Sequence, residues 1–251
     1  MAGMGSLTIR VVGVGDAFTA LHHNACLLVE SGGTRLLVDA PPALARALKD
    51  LSTKDPLAPV SLDDVDHVLI THLHGDHCGG LEQLLFWRRF VTHRKATLHA
   101  IPAVLEQVWE TRLRGGMDTL LDASGRFSTL SLEDYAVVSP LGPGASLIGD
   151  LAVEWRPTIH HIPTSALRFK AGSSTFGYSA DTAFDPTLVE WLSAADLFFH
   201  ETNLGVHTPL ASLVSLPEAT RARMKLIHYP DFHDVEGSPI PCAREGERIA
   251  L

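Results

Sequence analysis

Four residues of metal-ligand type fall within six positions of the stretch "THLHGDHCGG", Thr71 to Gly80. His72, His74 and His77 offer imidazole nitrogens and Asp76 a carboxylate, donors that suit zinc and other first-row divalent ions. In an extended chain, residues two apart project to the same side, so His72 and His74 can face one ion as they leave a strand. A turn at Gly75 would bring Asp76 and His77 toward a second position nearby. The competing reading is a polar loop whose histidines meet only water. Against it, a buried strand, "HVLI", delivers the cluster, and the small residues Gly79 and Gly80 follow it, which helps to fix a crowded site.

The elements that must position this cluster can be traced along the chain. "LTIRVVGV", Leu7 to Val14, reads as a strand ending in a glycine turn. "ACLLVES" and "TRLLVD" flank Gly32 and Gly33, a hairpin signal. "PPALARALKDL" and "GGLEQLLFWRRF" carry helical patterns, the first opened by proline and the second starting beside the metal-type residues. A strand over residues 96–100 and a helix from Pro102 to about Arg114 follow, whereas residues 116–150 give no clear pattern beyond the turn-rich "LGPGASLIGD". From Leu151 the chain is strand-like through "LAVEWRPTIHHIP" and the hairpin "ALRFKAGSSTFGYSAD". A helix, "DPTLVEWLSAA", and two short apolar strands, "DLFFHET" and "KLIHY", complete the series. This order predicts two sheets packed face to face with helices outside, an α/β (α+β) sandwich in one domain over residues 1–251.

Composition narrows the partners. The 251 residues are 45% hydrophobic and 20% charged, enough to bury a real core. A formal net charge of -9 works against tight non-specific binding to nucleic acid or anionic membrane. The three scattered cysteines, Cys26, Cys78 and Cys242, form no metal knuckle and read as reduced thiols. The first fifteen residues lack the basic flank and apolar run of a secretory leader, and no stretch is long and apolar enough to span a membrane. A cytoplasmic protein is expected.

The "THLHGDH" run resembles the H-x-H-x-D-H motif of the metallo-β-lactamase superfamily, in its usual place after a strand and before a helix. The similarity extends over nearly the whole chain. It implies a four-layer αβ/βα sandwich with a two-metal site at one edge of the sheets. It also implies further ligands. Either His160 or His161, in "PTIHHIPTS", would join His72 and His74 on the first metal, and the family's proline-containing turn favours His161. Asp181, in "GYSADTAF", resembles the bridging aspartate, and His228, in "KLIHYP", the last ligand, completing the second metal with Asp76 and His77. Two divalent ions are expected, with zinc first and iron or manganese acceptable to the same ligands.

Ions ~3.5–4 Å apart can share a water and make it hydroxide near neutral pH, a nucleophile for phosphorus or a carbonyl carbon. His74, where some relatives have glutamate and a redox di-iron site, favours hydrolysis. "FFHETNLGVHTP" is similar to the H-E-A-[ST] stretch and following histidine of ribonuclease Z and related phosphodiesterases. On that likeness Glu201 would orient a metal-bound histidine, and His207 would be the general acid, with water on Asp76 as the other proton source. Only nineteen residues separate His161 from Asp181, too few for a transfer-RNA-binding arm. The expected substrate is therefore a small phosphodiester such as a cyclic nucleotide, and a homodimer is allowed by the resemblance. The alternatives are a lactonase, thioesterase or β-lactam-type hydrolase on the same site, or an oxygen-using di-iron enzyme.

Weaker signals lose ground. "GVGDAF" lacks the third glycine of a dinucleotide fingerprint, with Phe18 in its place. Cys78 is expected to pack beneath the site, Asp39 to support the metal loop from below, and "WRRF" to be a solvated helix end. His22 and His23 fall near the mouth of the site in the family pattern.

Overall fold

The strands Thr8–Gly13, Cys26–Ser31 and Thr34–Val38 are buried almost throughout, so their sheet needs cover on both faces. A computed structural model describes residues 6–251 and shows that cover; residues 1–5, part of the segment read for a leader, lie outside it. On one face lie helices such as Leu44–Lys54, whose Leu44, Ala47, Leu48 and Leu51 recur at helical spacing and are buried. On the other lies a second sheet. A single continuous core takes Val11, Leu27, Leu37 and Val68 from the first sheet and Phe169, Phe176, Phe198 and Leu226 from the second. The fold is the four-layer αβ/βα sandwich.

The seven-stranded sheet runs in the order Arg248–Ala250, Thr8–Gly13, Cys26–Ser31, Thr34–Val38, His67–Leu69, Ala96–Ala100, Ala136–Pro140. The hairpin turns at Gly32, whose φ of 56° is a conformation glycine adopts without penalty. From Thr34–Val38 onward the neighbours are parallel. The six-stranded sheet runs Met224–Ile227, Leu197–Glu201, Ser174–Tyr178, Ser165–Ala171, Leu151–Pro157, Ser146–Ile148, with its first three strands parallel. Parallel strands end together, and the loops leaving those ends are where α/β sheets place ligands. Asp39, the His72–His77 segment, Asp181, Glu201 and His228 all lie at such ends.

Three expectations change. The strand from Leu151 stops at Pro157, and residues 158–164 form an irregular loop, because Pro157 and Pro163 bracket a stretch with no ladder partner. Residues 116–150 hold an isolated hairpin of Thr119–Leu121 and Phe127–Thr129 and two strands, patterns too short to read. "WRRF" is not a solvated helix end: Arg88 is buried, donates to the Asp63 carbonyl at 2.6 Å and pairs with Asp66. Arg248–Ala250, unread in the sequence, closes the sheet edge against Thr8–Arg10. All three cysteines are free and buried.

Candidate metal centre

The His67–Leu69 strand delivers Thr71 and His72 into the interior, and the short helix Gly75–Cys78 turns Asp76 and His77 back toward them. Nitrogen atoms converge: His72 Nε2 lies 3.1 Å from His74 Nδ1, which lies 3.2 Å from His160 Nε2. Asp181 joins from the second sheet. Its Oδ2 is 3.5 Å from His72 Nε2 and 3.8 Å from His160 Nε2. Its Oδ1 faces the other way, 3.3 Å from His77 Nε2 and 3.5 Å from His228 Nε2. Asp76 Oδ2 completes that second group at 3.2 Å from both imidazoles. One carboxylate thus turns its two oxygens toward two different pairs of imidazoles.

The backbone is bent to achieve this. Asp39, Ala180 and His228 have φ of 65°, 48° and 54°, three of the five non-glycine residues in the left-handed region among the described residues. Such strain persists where surrounding structure enforces it, and here it turns the side chains at three strand ends inward.

Each cluster fits a metal ion. Ligand atoms about 2.0–2.1 Å from a tetrahedral zinc stand roughly 3.3 Å apart, the spacing seen here. His77 Nε2 and Asp181 Oδ1 are buried without a hydrogen-bond partner, although they face each other. Buried polar atoms seldom go unpaired, and a shared cation would satisfy both. Burial alone would lower His228, but Asp181 and Asp76 carry it up to about 10, and Asp181, Asp39 and Asp76 raise His77 against its burial. His72, dominated by burial, falls to about 3 and presents a neutral ring.

The expected third partner of His72 and His74 needs correction. His160, not His161, faces the cluster. His161 is exposed and its Nε2 lies 2.9 Å from His74 Nε2, the nitrogen turned away from the other donors. Strand alternation could not decide between them, since residues 158–164 are not a strand.

Supporting contacts surround the donors. Asp39 accepts from His77 Nδ1 at 2.8 Å and from the Thr71 amide at 2.8 Å, as expected for support from below. Glu201 lies between His207 and His228. Its carboxylate takes His207 Nδ1 at 2.9 and 3.0 Å, whereas His228 Nδ1 stays 3.8 Å away. The Glu201 hydrogen bond raises His207, whose Nδ1 is 4.0 Å from Asp181 Oδ2. His200 is buried and points its Nδ1 at the Glu201 carbonyl. Cys78 is buried outside both clusters. His23 pairs with Asp50 at 2.9 Å, away from the donors.

Residues 7–238 match the family profile described as "Anti-Pycsar protein Apyc1". The chain belongs to the Anti-Pycsar protein Apyc1 family. It is 33% identical over 238 residues to the Apyc1 protein of Bacillus phage BSP38, covering 89% of each chain. With the Apyc1 protein of Paenibacillus harenae it shares 34% over 234 residues, covering 90% of this chain and 91% of that one. The metallo-β-lactamase fold protein YhfI from Bacillus subtilis superposes with a TM-score of 0.79 at 19% identity, covering 98% of this chain and all of that one. This Apyc1-family chain has the metallo-β-lactamase fold.

Three cavities lie beside the centre of this Apyc1-family member. One, about 400 Å³, is walled by Leu73, Val104 and Ile162 beside His74; a second, about 390 Å³, adjoins Asp181, His207 and His228; a third, about 440 Å³, opens beside His160 and His161. A larger one, about 660 Å³, opens at the opposite strand ends, where Arg35 is already paired with Glu30 and Asp64. The chemistry is not there.

Proposed function

We propose that the protein is a phosphodiesterase that opens a small phosphodiester, a cyclic nucleotide above all, with two divalent metal ions, zinc by preference. His72, His74, His160 and Asp181 would hold one ion, and Asp76, His77, His228 and Asp181 the other. When bound, the ions supply Lewis acidity at the phosphoryl group and a water that ionises near neutral pH.

The rest of the chemistry belongs to side chains. Glu201 fixes a proton on His207 Nδ1, so Nε2 is the nitrogen left to give a proton to the departing oxygen. Asp39 locks the His77 ring so that Nε2 points into the centre. Asp181 ties the two sheets at the point where both clusters need negative charge.

The observation that carries this reading is the His207–Glu201 pair beside the shared aspartate. A nucleoside alkoxide is a poor leaving group unless protonated, and a raised imidazole is suited to that task. Membership of the Apyc1 family supports a phosphodiesterase-type hydrolase. Ser165–Ala171 and Ser174–Tyr178 are joined through Gly172 and Ser173 alone, which leaves no arm for transfer RNA between His161 and Asp181. Buried, reduced cysteines suit the cytoplasm, and a homodimer belongs to the same reading.

The test is to load the protein with zinc or manganese and offer 3′,5′-cyclic nucleotides, bis(p-nitrophenyl) phosphate, lactones and thioesters. Mononucleotide should appear from the cyclic substrates. Turnover of lactones or thioesters with both phosphodiesters untouched would overturn the assignment.

A further inference from the structure

The cavity beside His207 has a mouth that hydrolysis alone does not require. Its floor is Asp181, His207 and His228, and its walls come from three loops that leave strand ends. Phe18 and Phe232 stand in those walls with 91% and 73% of their surface exposed, and Leu204 between them in chain order is also exposed. Single exposed apolar residues are ordinary, but a group of them around one cavity marks a surface awaiting a partner.

The loops that carry the rings are fastened to one another. Asp231, next to Phe232, accepts from Thr19 Oγ1 at 2.5 Å and from the Ala20 amide at 2.7 Å. Asp16 is buried and accepts from the Phe18 amide at 3.0 Å and from Asn203 Nδ2 at 2.9 Å. Two carboxylates thus tie three loops and fix the backbone that carries both rings before anything binds, which lowers the ordering cost of binding.

Reaction geometry says what the partner is. In phosphoryl transfer the entering and leaving oxygens lie roughly in line across phosphorus. His207 gives its Nε2 proton to the leaving oxygen, so that oxygen lies on the side of this cavity. In a 3′,5′-cyclic nucleotide the leaving oxygen belongs to the ribose, whichever ester bond opens. The bond from phosphorus to ribose oxygen breaks, a bond from phosphorus to the water oxygen forms, and a proton from that water restores the imidazolium. The nucleoside therefore sits on the His207 side, against the exposed rings.

Building on the phosphodiesterase reading above, we propose that this cavity is the nucleobase subsite, with Phe18 and Phe232 holding the base by apolar and stacking contact. The experiment compares kcat/KM for a 3′,5′-cyclic nucleotide with that for the base-free methyl riboside 3,5-cyclic phosphate. It uses the metal-loaded protein, Phe18→Ala, Phe232→Ala and, as a remote control, Leu147→Ala on an exposed position of the edge strand. Stacking on one aromatic ring should make the preference for the nucleotide fall about tenfold with either phenylalanine removed, chiefly through KM. The control should keep the full preference. Both rings are exposed, so thermal midpoints should not move.

An unchanged preference in both variants, with the wild type active on cyclic nucleotides, overturns the subsite and leaves the phosphodiesterase reading standing. Wild-type protein that cleaves lactones but no cyclic nucleotide overturns both. Loss of a dimer in sedimentation with the preference intact overturns the subsite by assigning the rings to a second copy of the chain.

Discussion

Both carboxylate oxygens of Glu201 reach a single ring nitrogen of His207, at 2.9 and 3.0 Å. The contact fixes the tautomer, because a carboxylate can only accept. It also comes from a residue wholly buried at the end of Leu197–Glu201, whose Oε1 further accepts from the Thr182 amide at 2.5 Å. The proton donor is thus bolted to the same strand end that borders Asp181.

Removing that donor should discriminate between leaving groups. In His207→Ala, kcat/KM for a cyclic nucleotide should fall by about 10²–10⁴-fold. Bis(p-nitrophenyl) phosphate, whose leaving group is stable as an anion, should lose far less. Equal losses on both substrates would mean that His207 holds the site together without giving a proton.

The two adjacent histidines give a second discrimination. His160→Ala removes a nitrogen that faces His74 Nδ1 and Asp181, whereas His161→Ala removes one that touches only the outer nitrogen of His74. Metal analysis after dialysis should show His160→Ala depleted of about one equivalent and His161→Ala near wild type. The reverse result would exchange their roles. Because His161 is exposed, its replacement should leave the thermal midpoint within about a degree or two, as for most surface changes.

That pair also marks where the sequence stops being legible. His72, His74, Asp76 and His77 could be read together because one strand and one tight turn position all four, so spacing translates directly into direction. Asp181 and His228 could be placed at strand ends from the apolar runs before them. His160 could not, since its direction is set by a loop between two prolines rather than by a pleat. Glu201 was readable as a supporting group, but its partner depends on how residues 202–207 fold back, and no periodicity encodes that. Phe18 stood out only as a missing glycine. Its exposure, and that of Phe232, follows from hydrogen bonds between loops more than two hundred residues apart in the chain, Thr19 to Asp231 among them.

Asp39 should matter for affinity more than for the chemical step. It sits at 2.8 Å from His77 Nδ1 and also accepts from Thr71 Oγ1 at 2.9 Å. In Asp39→Asn the ring loses its carboxylate anchor, and zinc affinity measured by competition with a chelator should weaken by about 10–100-fold. At saturating metal most of the activity should return. Unchanged affinity would reduce Asp39 to a support for the Thr71 turn.

A pH effect on stability is expected far from the metal centre. His99, buried in Ala96–Ala100, has its Nε2 at 3.1 Å from His67 Nδ1, and burial pushes it down to about 4. The unfolded chain takes up this proton near pH 6.5, the folded one only near pH 4. Between those values the unfolded state binds more protons, so the contribution is complete above about pH 6.5 and is lost as pH falls toward 4. From pH 7 to pH 5 the loss should be about 2 kcal/mol. Urea unfolding at both pH values should show that His99→Gln, which keeps a hydrogen-bonding side chain but cannot titrate, loses about that much less than wild type. Carboxylates and metal-centre histidines titrate alike in both proteins, so the difference reports the His67–His99 pair. Parallel losses in the two proteins would mean that the His67–His99 pair takes up its proton in the folded state as readily as in the unfolded one.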